Sequence, residues 1–113
     1  MQVIFETRHP EAARLRPIAE RRIRAALRRL SWLAPRARVQ LSDVNGPRGG
    51  IDKRCQVELI TESTGPIIIT SMARDWRSAL QSALARAVQA LLHAWQRAKN
   101  TRRTKRALLA DNS

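Results

Sequence analysis

Cysteine is almost missing from this chain. Cys55 stands alone, so no internal disulfide can form and no cysteine-based metal site exists, which fits a reducing compartment, taken here as the cytoplasm. Histidine is limited to His9 and His93, and the nine acidic residues are scattered without paired-carboxylate or metal-ligand spacing. With so few acid, base or nucleophile candidates, the expectation is a protein that is not an enzyme and has no metal, cofactor or small-molecule substrate. Tyrosine is absent and Phe5 is the only phenylalanine, too few aromatics for the stacking platforms of single-strand nucleic-acid binders. No apolar run approaches the roughly 20 residues of a membrane span, and Met1 to Glu6 lacks the basic start and long apolar run of a signal peptide. A soluble protein is expected.

What the chain has in excess is positive charge. Lys and Arg total 22 against nine Asp and Glu, a net charge of +13 and a pI of about 11.9. Folding gains nothing from such an imbalance, because self-repulsion opposes compaction. The common reason for it is a polyanionic partner, with nucleic acid first and an anionic membrane second. At 113 residues and 43% hydrophobic, the chain suffices for one domain with one modest core.

Hydrophobic periodicity orders the elements. Gln2 to Glu6 alternates as a strand. Residues 11 to 30 place Leu15, Ile18, Ala19, Ile23, Ala26, Leu27 and Leu30 at spacings of three and four, a helical stripe. Pro17 is tolerated only in a first turn, so the regular helix should begin near Leu15 or Arg16. Trp32 and Leu33 are expected to fold back on the core. Arg38 to Val44 and Lys53 to Thr61 alternate, the second with Cys55, Val57 and Leu59 on one face. Between them Asn45 to Gly50 reads as a long mobile loop without phosphate-loop chemistry. Thr64-Gly65-Pro66 marks a turn, and Ile67 to Thr70 is a β-branched strand. Asp75 is a plausible N-cap for a second helix from Trp76 to about Ala98. Thr101 to Ser113 has little to bury and reads as a basic disordered tail.

The order β-α-β-β-β-α implies a first pair of parallel strands joined by a right-handed crossover, then two hairpins. The expected fold is an α+β two-layer sandwich, a four-stranded sheet with two helices on one face, with residues 1–100 as the domain and 101–113 as the tail.

At about 100° per residue, Arg14, Arg21, Arg24 and Arg28 fall opposite the apolar stripe of the first helix, with Arg22 and Arg29 flanking them. A solvated charged face is the ordinary fate of such a run. Here only Glu20 interrupts it, the series of i,i+4 acidic partners that stabilises a solvent helix is missing beyond that one residue, and the guanidinium fork can hold two phosphate oxygens at once. The reading preferred is an RNA-binding face, extended by Arg74, Arg77, Arg86 and Arg97 on and before the second helix and by Arg36, Arg38, Arg48, Lys53 and Arg54 near the loops. Six to ten phosphate contacts would weaken binding roughly a thousandfold or more between low and physiological salt. Trp32, Trp76 and Trp95 are read as core, so folded or duplex RNA fits better than single strands. His93 is read as a surface or boundary residue, and Cys55 as a buried inert thiol. Without helix-turn-helix order, DNA is the weaker target.

The segment order, with Leu15, Ile18 and Ile23 on a basic first helix, resembles the ribosome hibernation-promoting factors, also called ribosome-associated inhibitors. Arg38-Val39-Gln40-Leu41, a loop, and Cys55-Gln56-Val57-Glu58-Leu59 are similar to that family's central hairpin, and Ala73 to Leu80 resembles the start of its second helix. The resemblance spans about residues 1–100. It implies a fold like the double-stranded-RNA-binding domain and binding to rRNA in the decoding region of the small ribosomal subunit, where translation is blocked. Arg22, Arg28 and Arg86 match basic positions of the family's helices. The stretch Ala87 to Ala94 carries less basic charge than members usually have, and the loop at 44–52 is longer. As a short form, the chain is expected to be monomeric and not to pair ribosomes by itself. Two other readings stand beside this one: a general structured-RNA-binding module, and an interaction protein using Ala83, Ala87, Ala90 and Ala94 for close helix approach, although packing on the sheet is the simpler role for those alanines.

Overall fold

Alternation in the sequence becomes a sheet whose inner rows can be read across all four strands. The computed structural model describes residues 2–44, 52–62 and 65–111, the stretch 101–111 as helical backbone. The elements run β1 (Gln2–Thr7), α1 (Pro10–Ala13), α2 (Arg16–Ala26), β2 (Arg36–Asp43), β3 (Lys53–Ile60), β4 (Ile67–Ala73) and α3 (Trp76–Asp111). The sheet order is β1-β2-β3-β4, with β1 parallel to β2 and the other pairs antiparallel. The result is an α+β protein with a four-stranded mixed sheet covered by helices.

Register explains the core. Phe5 lies opposite Val39, Val39 opposite Val57, and Val57 opposite Ile69; one row down, Val3, Ala37, Leu59 and Ile67 align in the same way. Period-two alternation sends all of these to one face. There they meet Ala19 and Ile23 of α2 and Ala79, Leu80, Ala83, Leu84, Ala87 and Leu91 of α3. Full burial of each large aliphatic, such as Ile23, Leu59, Leu80 and Leu91, contributes about 1.5–3 kcal/mol. The alanines at 79, 83 and 87 are fully or almost fully buried, which lets α3 lie close against β3 and β4.

The helical stripe between residues 11 and 30 is not one helix. α1 ends at Ala13, Leu15 N–H donates to the Ala12 carbonyl three residues back, and α2 starts at Arg16 with Pro17 in its first turn. The cause is Pro17, which has no N–H to give the residue four back and whose ring clashes with that carbonyl. After Leu27 the chain tightens again. Leu30 N–H donates to Leu27 and Leu33 N–H to Leu30. This three-residue period eclipses every third side chain, so Leu27 and Leu33 are buried and Leu30 is half-buried in one column. Arg29 and Trp32 form another column, and Trp32 is exposed at 65%. The expectation that Trp32 packs in the core is therefore corrected, while Trp76 and Trp95 do pack against it.

The second helix was expected to stop near Ala98 and give way to a disordered tail. It is instead continuous to Asp111. Residues 99–111 contain no proline or glycine, and extending a helix already nucleated costs little per residue. Its start matches expectation: Asp75 Oδ1 accepts from the Ser78 backbone N–H at 2.7 Å and Oδ2 from the Ser78 hydroxyl at 2.9 Å. These donors hold the Asp75 carboxyl below its ordinary value, the backbone bond contributing most. Before β4, Gly65 has φ +80°, a left-handed conformation that glycine adopts without a Cβ clash, and its carbonyl accepts from the Thr61 hydroxyl. The loop expected at Asn45 to Gly50, Arg48 included, lies outside the described residues.

Candidate nucleic-acid interface

The two layers differ in charge balance. From Leu15 to Leu33 the chain has six arginines and one acid, Glu20, and from Trp76 to Asn100 it has no acid at all. On the open face of the sheet, by contrast, basic groups have neighbours that occupy them. Arg38 Nε lies 3.8 Å from Glu6, and Arg54 donates to Gln56 at 3.1 Å. On the helix-covered side, at the start of β3, Lys53 is held by Asp43 at 2.7 Å and by the buried Asp52 at 3.6 Å. The hydrogen bond to Asp43 raises the Lys53 pKa above its ordinary value, so this lysine is an internal counter-ion and not an extension of a basic surface.

All ten arginines singled out from the sequence are exposed: Arg14, Arg21, Arg22, Arg24, Arg28, Arg29, Arg74, Arg77, Arg86 and Arg97. They do not form one face. Arg14 sits in the turn between α1 and α2, so the regular wheel that aligned it with Arg21 does not reach it. Arg21, Arg22 and Arg24 project from α2, and Arg28 and Arg29 continue past its end in the tight turns.

Between α2 and α3 runs a cleft. One part, of about 560 Å³, is lined by Arg22, Ala25, Ala26, Gln81, Leu84, Ala85 and Val88. The adjoining part, of about 310 Å³, shares Ala25, Ala26 and Val88 and adds Arg28, Arg29, Leu30 and Leu92. Alanines on the facing sides keep the cleft open and leave an apolar floor. Its charged rim is arginine only. With the Gln81 amide oxygen turned toward Arg22, it stands 3.2 and 3.3 Å from the two terminal guanidinium nitrogens, which orients that fork at the cleft edge.

α3 divides its basic groups between two sides. Arg77 falls within about 40° of Gln81, Leu84 and Val88 on a helical wheel, on the α2 side. Arg86 points to the other side, where its Nη1 donates to the Thr70 carbonyl at 3.0 Å and reaches the Ser71 hydroxyl at 3.4 Å. Next to it Ser82 and Ser71 share a hydrogen bond of 2.7 Å. Arg97 lies within about 20° of Arg86 on the same wheel. The structure therefore brings together Arg21, Arg22, Arg28 and Arg29, with Arg77 on the facing helix, and sets Arg86 and Arg97 apart.

Three features escaped the sequence reading. Arg16 lies over the Phe5 ring at 5.7 Å, and Lys99 over the Trp95 ring at 5.1 Å. Trp32 meets Trp95 edge to face, with centroids 6.0 Å apart. The available sign was the change of period at Leu27, Leu30 and Leu33, which turns position 32 outward.

Among the described residues no three of His, Cys, Asp and Glu are placed to hold a metal ion. Cys55 is buried, and burial pushes its thiol up to about 12, far from a reactive thiolate. His93 is exposed, and His9 lies against the Trp76 ring at 5.2 Å. No helix among the described residues is long and apolar enough to cross a membrane. No protein-family model matches the chain, and no curated protein matches it either.

Proposed function

We propose that this protein is a ribosome-associated translation inhibitor, a short hibernation factor that binds small-subunit rRNA in the decoding region through its helical layer. The observation that carries the RNA-binding part is the arginine array of α2 and the turns after it, facing the acid-free stretch Trp76 to Asn100 of α3 across an arginine-rimmed cleft. Arginines so placed repel one another, with Glu20 the one acid on α2 to offset them; a phosphate backbone relieves the remaining repulsion. An alternating pair of exposed helices suits the shape and backbone of folded RNA better than base edges. The ribosomal assignment rests on the resemblance in element order, β-α-β-β-β-α, and on a fold like the double-stranded-RNA-binding domain. With it go a cytoplasmic setting, a monomeric state and a non-catalytic mode of action by occupancy.

The scattered basic charge of α3, with Arg86 turned toward β4, favours a second reading: a structured-RNA-binding module without preference for the ribosome. Co-sedimentation with separated ribosomal subunits at physiological salt distinguishes the two. Saturable one-to-one binding to the small subunit, lost in the triple variant Arg21→Glu, Arg24→Glu, Arg28→Glu, is the result expected of the hibernation factor. Unsaturated binding, equal for unrelated duplex RNA, leaves the general module.

A further inference from the structure

We infer that Trp32 is a stacking site for one unpaired nucleobase of a structured RNA, placed at the end of the arginine array. This rests on the RNA-binding reading above and adds a second mode of recognition to it.

An indole exposed at 65% in a protein whose other tryptophans pack on the core requires a reason. Trp32 is not simply left over at a loose end. Its Nε1–H donates to the Arg29 carbonyl at 3.1 Å, which fixes the ring against its own turn. Trp95 meets it at 85° between ring planes, and Trp95 is in turn held between the core and the Lys99 ammonium. An edge-to-face contact can cover at most one face of the Trp32 ring. The other is left as a flat, preorganised π-surface, and a ring already immobilised loses little freedom when a ligand stacks on it.

The surroundings specify the ligand. Arg28 and Arg29 precede Trp32 in the same tight turns, and Lys99 stands at the far side of Trp95. Between Leu15 and Leu33 and between Trp76 and Asn100 the only acid is Glu20, about two helical turns before Arg28. A flat apolar surface the size of one ring, bordered by cations, matches a base with its phosphate. Among the described residues the other large exposed apolar side chains are Val44 at the end of β2 and Ile68 and Met72 on β4, none of them on the helical layer beside Trp32. Stacking is indifferent to base identity because every base has a π-face, so the site takes an unpaired base of any kind, from a loop, bulge or strand end.

The test compares two RNAs of equal phosphate number at 0.15 M salt, a hairpin with unpaired loop purines and a blunt duplex, titrated with wild type, Trp32→Ala and Trp32→Phe. Trp32→Ala should weaken hairpin binding by about five- to a hundred-fold and leave duplex binding unchanged. Trp32→Phe should recover most of the loss, and hairpin should quench a component of indole fluorescence that Trp32→Ala lacks. Thermal melts check that the variants fold, which an exposed position favours. Hairpin and duplex binding that both ignore Trp32, or that fall equally with it, overturns the stacking site alone. A wild-type protein that binds neither RNA overturns the RNA-binding reading and the stacking site with it.

Discussion

Two sets of three arginines on opposite faces of the same protein separate site from charge. The triple Arg21→Gln, Arg22→Gln, Arg28→Gln removes cations from the helical layer. The triple Arg36→Gln, Arg38→Gln, Arg54→Gln removes the same charge from the open sheet face, since the alternating residues Ala37, Val39, Cys55 and Val57 are the buried ones. Each set takes three from a net charge of +13, and glutamine is nearly as good a helix former as arginine. If the helical arginines each neutralise a phosphate, each contributes about 0.7–0.9 to the slope of log affinity against log salt. Losing three lowers the slope by about 2–3, and between 1 M salt and 0.15 M this amounts to about a hundredfold in affinity. The assay is an anisotropy titration of a labelled RNA hairpin at several salt concentrations. The helical triple should show both the weaker affinity and the shallower slope, and the sheet triple should stay close to wild type. Equal losses for the two sets would refute the reasoning, because affinity would then follow net charge wherever it is carried.

Other consequences can be checked more simply. Leu59→Ala should cost about 2–5 kcal/mol in urea unfolding, as a fully buried leucine opposite Ala37 and Ile67 leaves a cavity that the sheet cannot close. Cys55 should react slowly with a thiol reagent in the native state at pH 8 and rapidly in denaturant, because its pKa is pushed up to about 12; rapid native labelling would contradict its burial. Asp75→Ala should lower the melting temperature at neutral pH through loss of the α3 cap. Because the folded-state pKa of Asp75 is depressed, its stabilisation is present above the ordinary value of 3.8 and disappears as pH falls through the folded value. Melting curves of wild type and variant should therefore converge in acid.

The strands, their inward faces and the Asp75 cap were all readable because each depends on a local pattern: period two in Val39-Leu41 and Cys55-Val57-Leu59, and an acid just before an apolar helix. What was not readable came from changes of period and from partners distant in sequence. A wheel drawn through residues 11 to 30 assumes one helix, and the break at Pro17 removes Arg14 from the array. Trp32 looks like core by its hydrophobicity, and only the three-residue hydrogen bonds after Leu27 turn it outward. Lys53 looks like surface charge until Asp52 is seen buried beside it. Arg86 is a helix-surface cation by spacing, but its bond to Thr70 depends on where β4 lies. The candidate site was thus legible as a composition of α2 and less so as a geometry.

The parallel pairing of β1 has a kinetic meaning. Gln2 pairs with Arg36, 34 positions along the chain, while the β2–β3 and β3–β4 hairpins close over pairs as near as Asp43 with Lys53 and Leu59 with Ile67. Loop closure entropy grows with separation, and non-local contacts form only after that cost is met. The hairpins should therefore assemble first, and β1 should join last, once α1 and α2 have crossed the sheet. The same strand, like β4, is an edge with one neighbour, so in the native state it should open more readily than the central strands. Backbone amides of β1 should exchange with solvent well before those of the central strands β2 and β3, and a nascent chain would hold its N-terminal strand unpaired until most of the domain has been made.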